Sequence, residues 1–427
     1  MPEWLFILLI IMVLLIIGTP FFVVFGIGAV LFFLLYMHWS TDPIPQLFLG
    51  YMSSWSLMAI PLFILAGELM VRSGASTLLV NLLDDMVGHV PGGMALVTVL
   101  TCTVFSAFSG SSIACASALT PLLLPEMTRL GYDKRFSMGL LACGGTMDIM
   151  IPPSIPMIVL AEITEQSVAK IFAAGIIPGL VIAAMLGITA IIISWRRGYG
   201  AHPPRSWGQR RRSFVRSLPV LVLPVIILGG IFSGIFAPTE AAAIAAIYAA
   251  ILAFFYQKGI SWRWILDILV ISTRSAIAVF AIIATAGMLG NVVAYSRLAE
   301  AVAGMITHIG AGALGTLFLI NLFYFFAGMV IETVPLMVLT APVFFAIAPA
   351  VGIHPIHLSV LTIINIEIAQ VTPPVGVVLY ALAGASGERF EEVARGIFLF
   401  LGPMLISLVI LTLFPVLSAW LPGILVP

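Results

Sequence analysis

Three carboxylates stand in apolar surroundings where charge is costly. Asp148 lies in GGTMDIMIPPSIP (144–156), Glu332 in FFAGMVIETVP (325–335), and Glu367 in NIEIAQVTPPVGV (365–377). Each has small or hydroxyl residues or a Pro-Pro pair beside it. An isolated Asp at the centre of a membrane helix costs about 2.5–3.5 kcal/mol on insertion scales, so each needs a partner, water or a proton. Proline removes a backbone donor and clashes with the preceding turn, so Pro152-Pro153 and Pro373-Pro374 free carbonyls within otherwise helical runs. In hydrocarbon a freed carbonyl costs several kcal/mol unless protein covers it or a ligand binds it. Unwound carbonyls suit Na⁺, and the N-terminus of a half-helix suits an anion. The residue types therefore point to binding an ion or a small solute. Asp148 and Ser154 at the first break, and Glu332 and Glu367 at the second, are the side chains that could touch a substrate or ion; a structural, hydrogen-bonded carboxylate is the competing reading for each.

Other chemistries find less support. Lys134, Lys170 and Lys258 are the only lysines, and none lies in GK[ST], so no nucleotide-driven pump is indicated. HExxH and GxSxG are absent, which leaves an intramembrane aspartate enzyme or a passive channel as alternatives to coupled transport. Cys102, Cys115 and Cys143 lie in apolar segments without CxxC or Cys/His spacing and read as packing residues. His354 and His357 lack further partners and read as solvated loop residues.

The elements that must position these groups follow from composition. The chain of 427 residues is 62% hydrophobic and 8% charged, against roughly 25% charged in soluble domains. Apolar runs recur at the length of membrane helices rather than of barrel strands. The expected fold is all-α and polytopic, with no nucleic-acid partner and membrane lipid around it. The opening Met-Pro-Glu-Trp has no basic n-region, so the first helix is expected to remain. Crossings are expected near 4–19, 21–37, 55–80, 138–160, 172–195, 218–235, 238–256, 276–297, 358–383 and 397–418. Two further runs, about 97–128 and 315–349, are interrupted by Ser/Gly and by Glu-Thr and read as re-entrant hairpins.

Charge orients this map. Arg196, Arg197, Arg205, Arg210, Arg211, Arg212 and Arg216 form a run with no acid among them. It reads as a topogenic cytoplasmic loop, with anionic lipid or a protein partner as the second reading. With both termini periplasmic, every Lys and Arg except Lys170 and Arg297 falls in the cytoplasm. Treating the hairpins as full crossings would instead put Arg129, Lys134 and Arg135 outside.

A shift of 221 residues carries Pro152-Pro153 onto Pro373-Pro374, Pro121 onto Pro342, Gly131 onto Gly352 and Gly175 onto Gly396. Further upstream it drifts, pairing Ala66-Gly67 with Ala286-Gly287 and His89-Val90 with His308-Ile309. Kinks and small-residue packing are common in membrane helices, but they do not hold prolines and glycines in register over this span. The chain reads as a duplication: residues 1–195 as the first repeat, 196–217 as the basic loop, and 218–427 as the second repeat. RLGYDKRFS after the first hairpin is basic, whereas its counterpart AVGIHPIHLS has no Lys or Arg. The copies are therefore expected to be inverted, as in secondary transporters with broken helices at the midplane.

These motifs, with the early GTP, MAIPLFILAGELM, FSAFSGSSIA, IPPSIP, APTEAAAIAA, FAGMVIET and TPPVG, resemble the DctM-like large membrane subunit of tripartite ATP-independent periplasmic (TRAP) transporters. The resemblance runs nearly end to end. It implies an elevator-type, Na⁺-coupled importer in the bacterial inner membrane. It also implies a small four-helix membrane subunit and a periplasmic substrate-binding protein as partners, with an organic anion as the expected solute. A stand-alone Na⁺-coupled anion symporter of the same architecture is the nearest alternative. The family pattern places one Na⁺ region at Ser106, Ser109, Gly110, Ser111, Gly144, Gly145, Pro152 and Pro153. A second falls at Gly328, Thr333, Asn365, Thr372, Pro373 and Pro374. Asp148 departs from that pattern, where a glycine is usual; its repeat counterpart is Ala369. Two inward Na⁺ would contribute about 4.6 kcal/mol per 100 mV.

The charge map makes one measurable statement. A cysteine replacing Ser206 is expected to react with a membrane-impermeant maleimide only after the cells are opened. Labelling from the periplasmic side of intact cells would overturn the topology.

Overall fold

Hydrocarbon offers backbone N–H and C=O groups no partner but each other, and every regular element among the described residues is helical. The computed structural model describes residues 9–426, apart from 12, 16, 39, 258–259, 296–301, 303 and 305–311. Lys258, Arg297 and the His308-Ile309 pair lie outside the described residues. So does much of the expected first crossing.

The first half comprises α1 (Phe21–Leu31), α2 (Pro43–Met52), α3 (Ala59–Arg72) and α4 (Ala75–Val87), then a helix–turn–helix pair α5 (Gly93–Ser109) and α6 (Ser112–Arg129). A broken helix follows as α7 (Lys134–Gly145), the short α8 (Met147–Met150) and α9 (Ile155–Ile163), and α10 (Val168–Arg197) closes the unit. The second half begins with α11 (Trp207–Phe232), α12 (Pro238–Tyr256) and α13 (Trp262–Tyr295). Its helix–turn–helix pair is α14 (Ala313–Gly328) and α15 (Thr333–Ile347). Its broken helix is α16 (Pro355–Gln370) and α17 (Val377–Ser386), followed by α18 (Phe390–Leu413) and α19 (Val416–Leu425). Six helices are long and apolar enough to cross a membrane, or up to eight if each bent pair counts as one span. At about 1.5 Å per residue, α13 exceeds the ~30 Å of hydrocarbon, so it must tilt or project.

Three expectations need correction. The run 55–80 is two helices, because Ser73 and Gly74 interrupt it and Gly74 adopts a left-handed φ of +85°. The basic segment 196–217 is mostly helix: α10 continues through Arg197, and Ser206 caps α11 in a capping box with Gln209. Only residues 198–206 are a connection. Finally, His357 is not a solvated loop residue. It is 2% exposed on α16, with Nδ1 within 2.7 Å of Ser418 Oγ on α19.

The halves interlock reciprocally. The post-break helix α9 packs on hairpin helix α15 of the other half, and α17 packs on α6. Outside these, α12 lies along α3, and α13 runs against α1, α3 and α15. Exposed apolar side chains such as Leu180, Val225, Phe254 and Phe398 form the outer surface. Three basic clusters meet on one face. His202 bridges Asp84 (2.5 Å) and Glu126 (2.9 Å), and Arg129 Nη2 lies 3.2 Å from the same ring. Lys134 pairs with Glu388, and Arg135 with Glu392 at 2.6 Å. These pairs bring residues 126–135, 202 and 388–392 to one side of the molecule.

The contact of α7 with α18 depends on two glycines. A Cβ on Gly139 would lie 2.2 Å from the Gly396 carbonyl oxygen, and one on Gly396 would lie 2.1 Å from that of Arg135. Backbone meets backbone there, so neither neighbour yields by a rotamer change. Gly139→Ala is expected to cost at least the ~1–3 kcal/mol typical of overpacking. It should appear as a lowered thermal midpoint of the purified protein. An unchanged midpoint would mean the two helices do not approach this closely.

Candidate functional site

Both breaks face the turns of the hairpins. At the first turn Gly110 has φ +67°, and a Cβ there would meet the Pro153 carbonyl oxygen at 3.2 Å. Only glycine takes this conformation and this approach without strain. Ser111 then caps α6, its Oγ accepting from Ala114 N–H at 3.4 Å. Across the turn, the Ser111 N–H donates to Asp148 Oδ2. Asp148 is fully buried, and its Oδ1 has no hydrogen-bond partner. The Oγ atoms of Ser109 and Ser154 are also buried without partners. The first break thus gathers three unpaired oxygens with a carboxylate among them. That set suits a cation, because carboxylate and hydroxyl oxygens all offer lone pairs, although the hydroxyls can also donate to the carboxylate.

At the second break the side chains are engaged. Glu367, fully buried on α16, accepts from Ser112 Oγ at 2.6 Å and from Thr333 Oγ1 at 2.7 Å. One carboxylate thereby ties the turn of the first hairpin to the turn of the second. Asn365 Nδ2 donates to Asn321 O and Oδ1 on α14 at 2.7 and 2.9 Å, leaving Asn365 Oδ1 unpaired. Thr372 Oγ1 donates back to Ile368 O at 2.8 Å. Pro152-Pro153 and Pro373-Pro374 are both cis, so the breaks share one backbone plan.

Two adjoining cavities open between the hairpin turns and the outer helices. The smaller, about 90 Å³, is bordered by Ser111, Ser112, Thr333, Glu332, Glu367 and Gln370. The larger, about 460 Å³, reaches Ser109, Ser117, Glu332, Glu68 of α3 and Ser275 of α13. Among the described residues, no Lys, Arg or His borders either cavity. Glu68 pairs with Arg72 at 3.4 Å. Glu332, at the N-cap of α15, has neither hydrogen bond nor ion pair to its carboxylate among the described residues.

The expected residues divide accordingly. Ser109, Gly110, Ser111, Asp148, Pro153 and Ser154 converge at the first turn. Glu332, Thr333 and Glu367 converge at the second. Of the expected residues, Ser109, Gly110, Ser111, Glu332, Thr333 and Glu367 border the two cavities. Ser106 lies a turn back, its hydroxyl donating to Thr103 O at 2.5 Å. Gly144 and Gly145 instead let α7 approach Cys102 and Ala116 of the hairpin. The cysteines are buried and free. Ser112, Gln370 and Glu68 were missed by sequence reasoning. A signal existed for Ser112 in the Ser-Ser pair following Gly110, and for Gln370 as an amide two residues before Thr372-Pro373.

The sequence also has known relatives. The family described as "Tripartite ATP-independent periplasmic transporter, DctM component" matches residues 8–417. The C4-dicarboxylate TRAP transporter large permease protein DctM of Pseudomonas aeruginosa is 36% identical over 369 residues, covering 86% of each chain. The sialic acid TRAP transporter large permease protein SiaM of Vibrio cholerae is 33% identical over 377 residues, covering 88% of each. The backbone matches the YdaH transporter of Alcanivorax borkumensis with a TM-score of 0.64 at 10% identity, over 89% of this chain and 88% of that one. At that identity the likeness is one of fold.

The Glu367 bridge generates a stability prediction. Hydrogen bonds to a charged group contribute about 1.5–3 kcal/mol each when buried. Glu367→Ala should lower the thermal midpoint more than Glu367→Gln, because a hydroxyl can rotate to accept from the amide. Equal midpoints for the two variants would show that the bridge does not hold the hairpin turns together.

Proposed function

The chain belongs to the DctM component of tripartite ATP-independent periplasmic transporters, a multi-pass membrane permease and not an enzyme, and on that premise we propose that it couples Na⁺ entry to import of a small organic solute. The observation that carries this reading is the cluster of unpaired buried oxygens at the first break: Asp148 Oδ1, Ser109 Oγ and Ser154 Oγ. They fit Na⁺, with the carbonyls of Ser109, Gly110 and Pro153 completing an oxygen-only set. Asp148 supplies the one formal negative charge. An inward Na⁺ gains about 2.3 kcal/mol per 100 mV, which converts to roughly 50-fold accumulation at 1.36 kcal/mol per decade.

The solute occupies the larger cavity. No cationic side chain among the described residues borders that space, so an organic anion is held there by the positive end of α6 and by Ser109, Ser111, Ser117 and Ser275. The nearby Na⁺ offsets the charge of Asp148. Coupling follows physically: without the cation, an anion entering beside two carboxylates meets net repulsion. The reciprocal packing of α9 on α15 and α17 on α6 supports the inverted-repeat reading. The hairpins and broken helices then move as a body against α3, α12 and α13 in an elevator cycle. Both termini are periplasmic in the inner membrane. A small four-helix subunit and a periplasmic binding protein complete the importer. Relatives act on solutes as different as C4-dicarboxylates and sialic acid, so delivery by the binding protein carries much of the selectivity.

Reconstitution tests the proposal directly. The chain is purified with its small subunit, placed in vesicles and supplied with loaded binding protein. Uptake is expected to require Na⁺ and all three proteins. Equal uptake in choline would reject coupling. Equal uptake without the binding protein would favour the stand-alone symporter.

A further inference from the structure

The two breaks share a backbone plan, yet their backbone oxygens meet different fates. At the second, three carbonyls of the α14/α15 turn are engaged by the broken helix facing them. Gln370 Nε2 donates to Gly328 O at 3.2 Å and to Ile331 O at 2.8 Å. The Gly376 N–H donates to Met329 O at 3.2 Å. Gln370 is 3% exposed, so water does not substitute for it. At the first break, no hydrogen bond among the described residues ends on the carbonyls of Phe108, Ser109 or Gly110. The shift of 221 residues that superimposes the proline pairs sets Asp148-Ile149 against Ala369-Gln370. The first repeat therefore has an added acceptor and an apolar neighbour, and the second an apolar residue and an added donor.

This exchange has a physical meaning. Converging carbonyls in a low-dielectric interior need a donor or a cation. An amide NH₂ brings two N–H donors without charge, so Gln370 satisfies two carbonyls that would otherwise attract an ion. The first break has no amide donor; beside its carbonyls stand the Asp148 carboxylate and the hydroxyls of Ser109 and Ser154. Of the second Na⁺ region implied by family resemblance, the Gly328 carbonyl is taken by Gln370, and the Thr372 hydroxyl hydrogen by Ile368 O. We infer that Gln370 is a resident substitute for a coupling cation at the second break, and that cation coupling runs through the first break alone. The inference rests on the Na⁺-coupled reading above and fixes which half of the duplication serves it.

The purified complex of the chain with its small subunit tests this without transport. Thermal midpoints are followed as Na⁺ replaces choline at constant ionic strength, and bound ²²Na⁺ is counted at saturation. Wild type should be stabilised by Na⁺ with about one ion bound per chain and a Hill coefficient near ~1. Asp148→Asn should raise the half-saturating Na⁺ concentration by roughly tenfold or more, as expected for loss of a charged oxygen. Gln370→Leu keeps bulk but removes both donors. It should lower the midpoint in choline, recover with Na⁺, and bind about two ions per chain. Two ions on wild type would overturn the inference even if the Leu variant fails to fold. A Leu variant with an unchanged choline midpoint and unchanged Na⁺ titration would also overturn it. A wild type that binds no Na⁺ rejects the coupling reading and this inference with it, whereas two ions reject this inference alone.

Discussion

Backbone polar groups cannot be left unpaired in hydrocarbon, and two breaks in transmembrane segments put many of them there. Glu367 is the group on which the arrangement around them turns. Its carboxylate accepts from Ser112 of one hairpin and Thr333 of the other, so one buried side chain joins the turns of the two hairpins. The two turns, both broken helices and the cavities between them are held in register by that pair of hydrogen bonds. Packing of α9 on α15 and α17 on α6 closes the arrangement from the sides.

Charge in this centre is almost all of one sign. Asp148, Glu332 and Glu367 stand close to the positive ends of α6 and α15, and no basic side chain among the described residues borders the cavities. Helix ends carry only about half a charge each, so they do not balance three carboxylates. Basic residues lie instead at one face of the molecule, where His202, Lys134 and Arg135 join neighbouring elements through acidic partners. Exposed pairs of this kind contribute little stability individually, ~0–1 kcal/mol. Their placement bears on topology.

The two breaks correspond in sequence register and differ in the residues beside them. The same backbone path, with a cis Pro-Pro bond in each, holds Asp148-Ile149 in one copy and Ala369-Gln370 in the other. A carboxylate leaves an interior site in want of a cation, and an amide satisfies carbonyls without one. Two adjacent positions thus separate a site open to ligand from one closed by the chain itself.

The all-helical membrane class, the helix–turn–helix pairs and the breaks were legible in the sequence. Each follows from local properties: apolar run length, interruption by Ser/Gly or Glu-Thr, and the missing N–H of proline. Family membership was legible because the motifs recur along nearly the whole chain. Which carboxylate would be satisfied and which left open was not legible. Glu367 finds Ser112 255 residues away, and Gln370 reaches two carbonyls about 40 residues upstream. His357 was misread because its partner, Ser418, lies on α19, and the 55–80 run because a left-handed glycine outweighs apolar continuity. Gly144 and Gly145 looked like site residues and proved to be packing surfaces, since a glycine's neighbours are set by the fold and not by its motif. Sequence alone determined that unpaired oxygens would exist at two places in the membrane. Only the tertiary structure decided which of them the chain pairs with its own donors, because hydrogen bonds reach about 3 Å and that proximity is fixed by packing between distant segments.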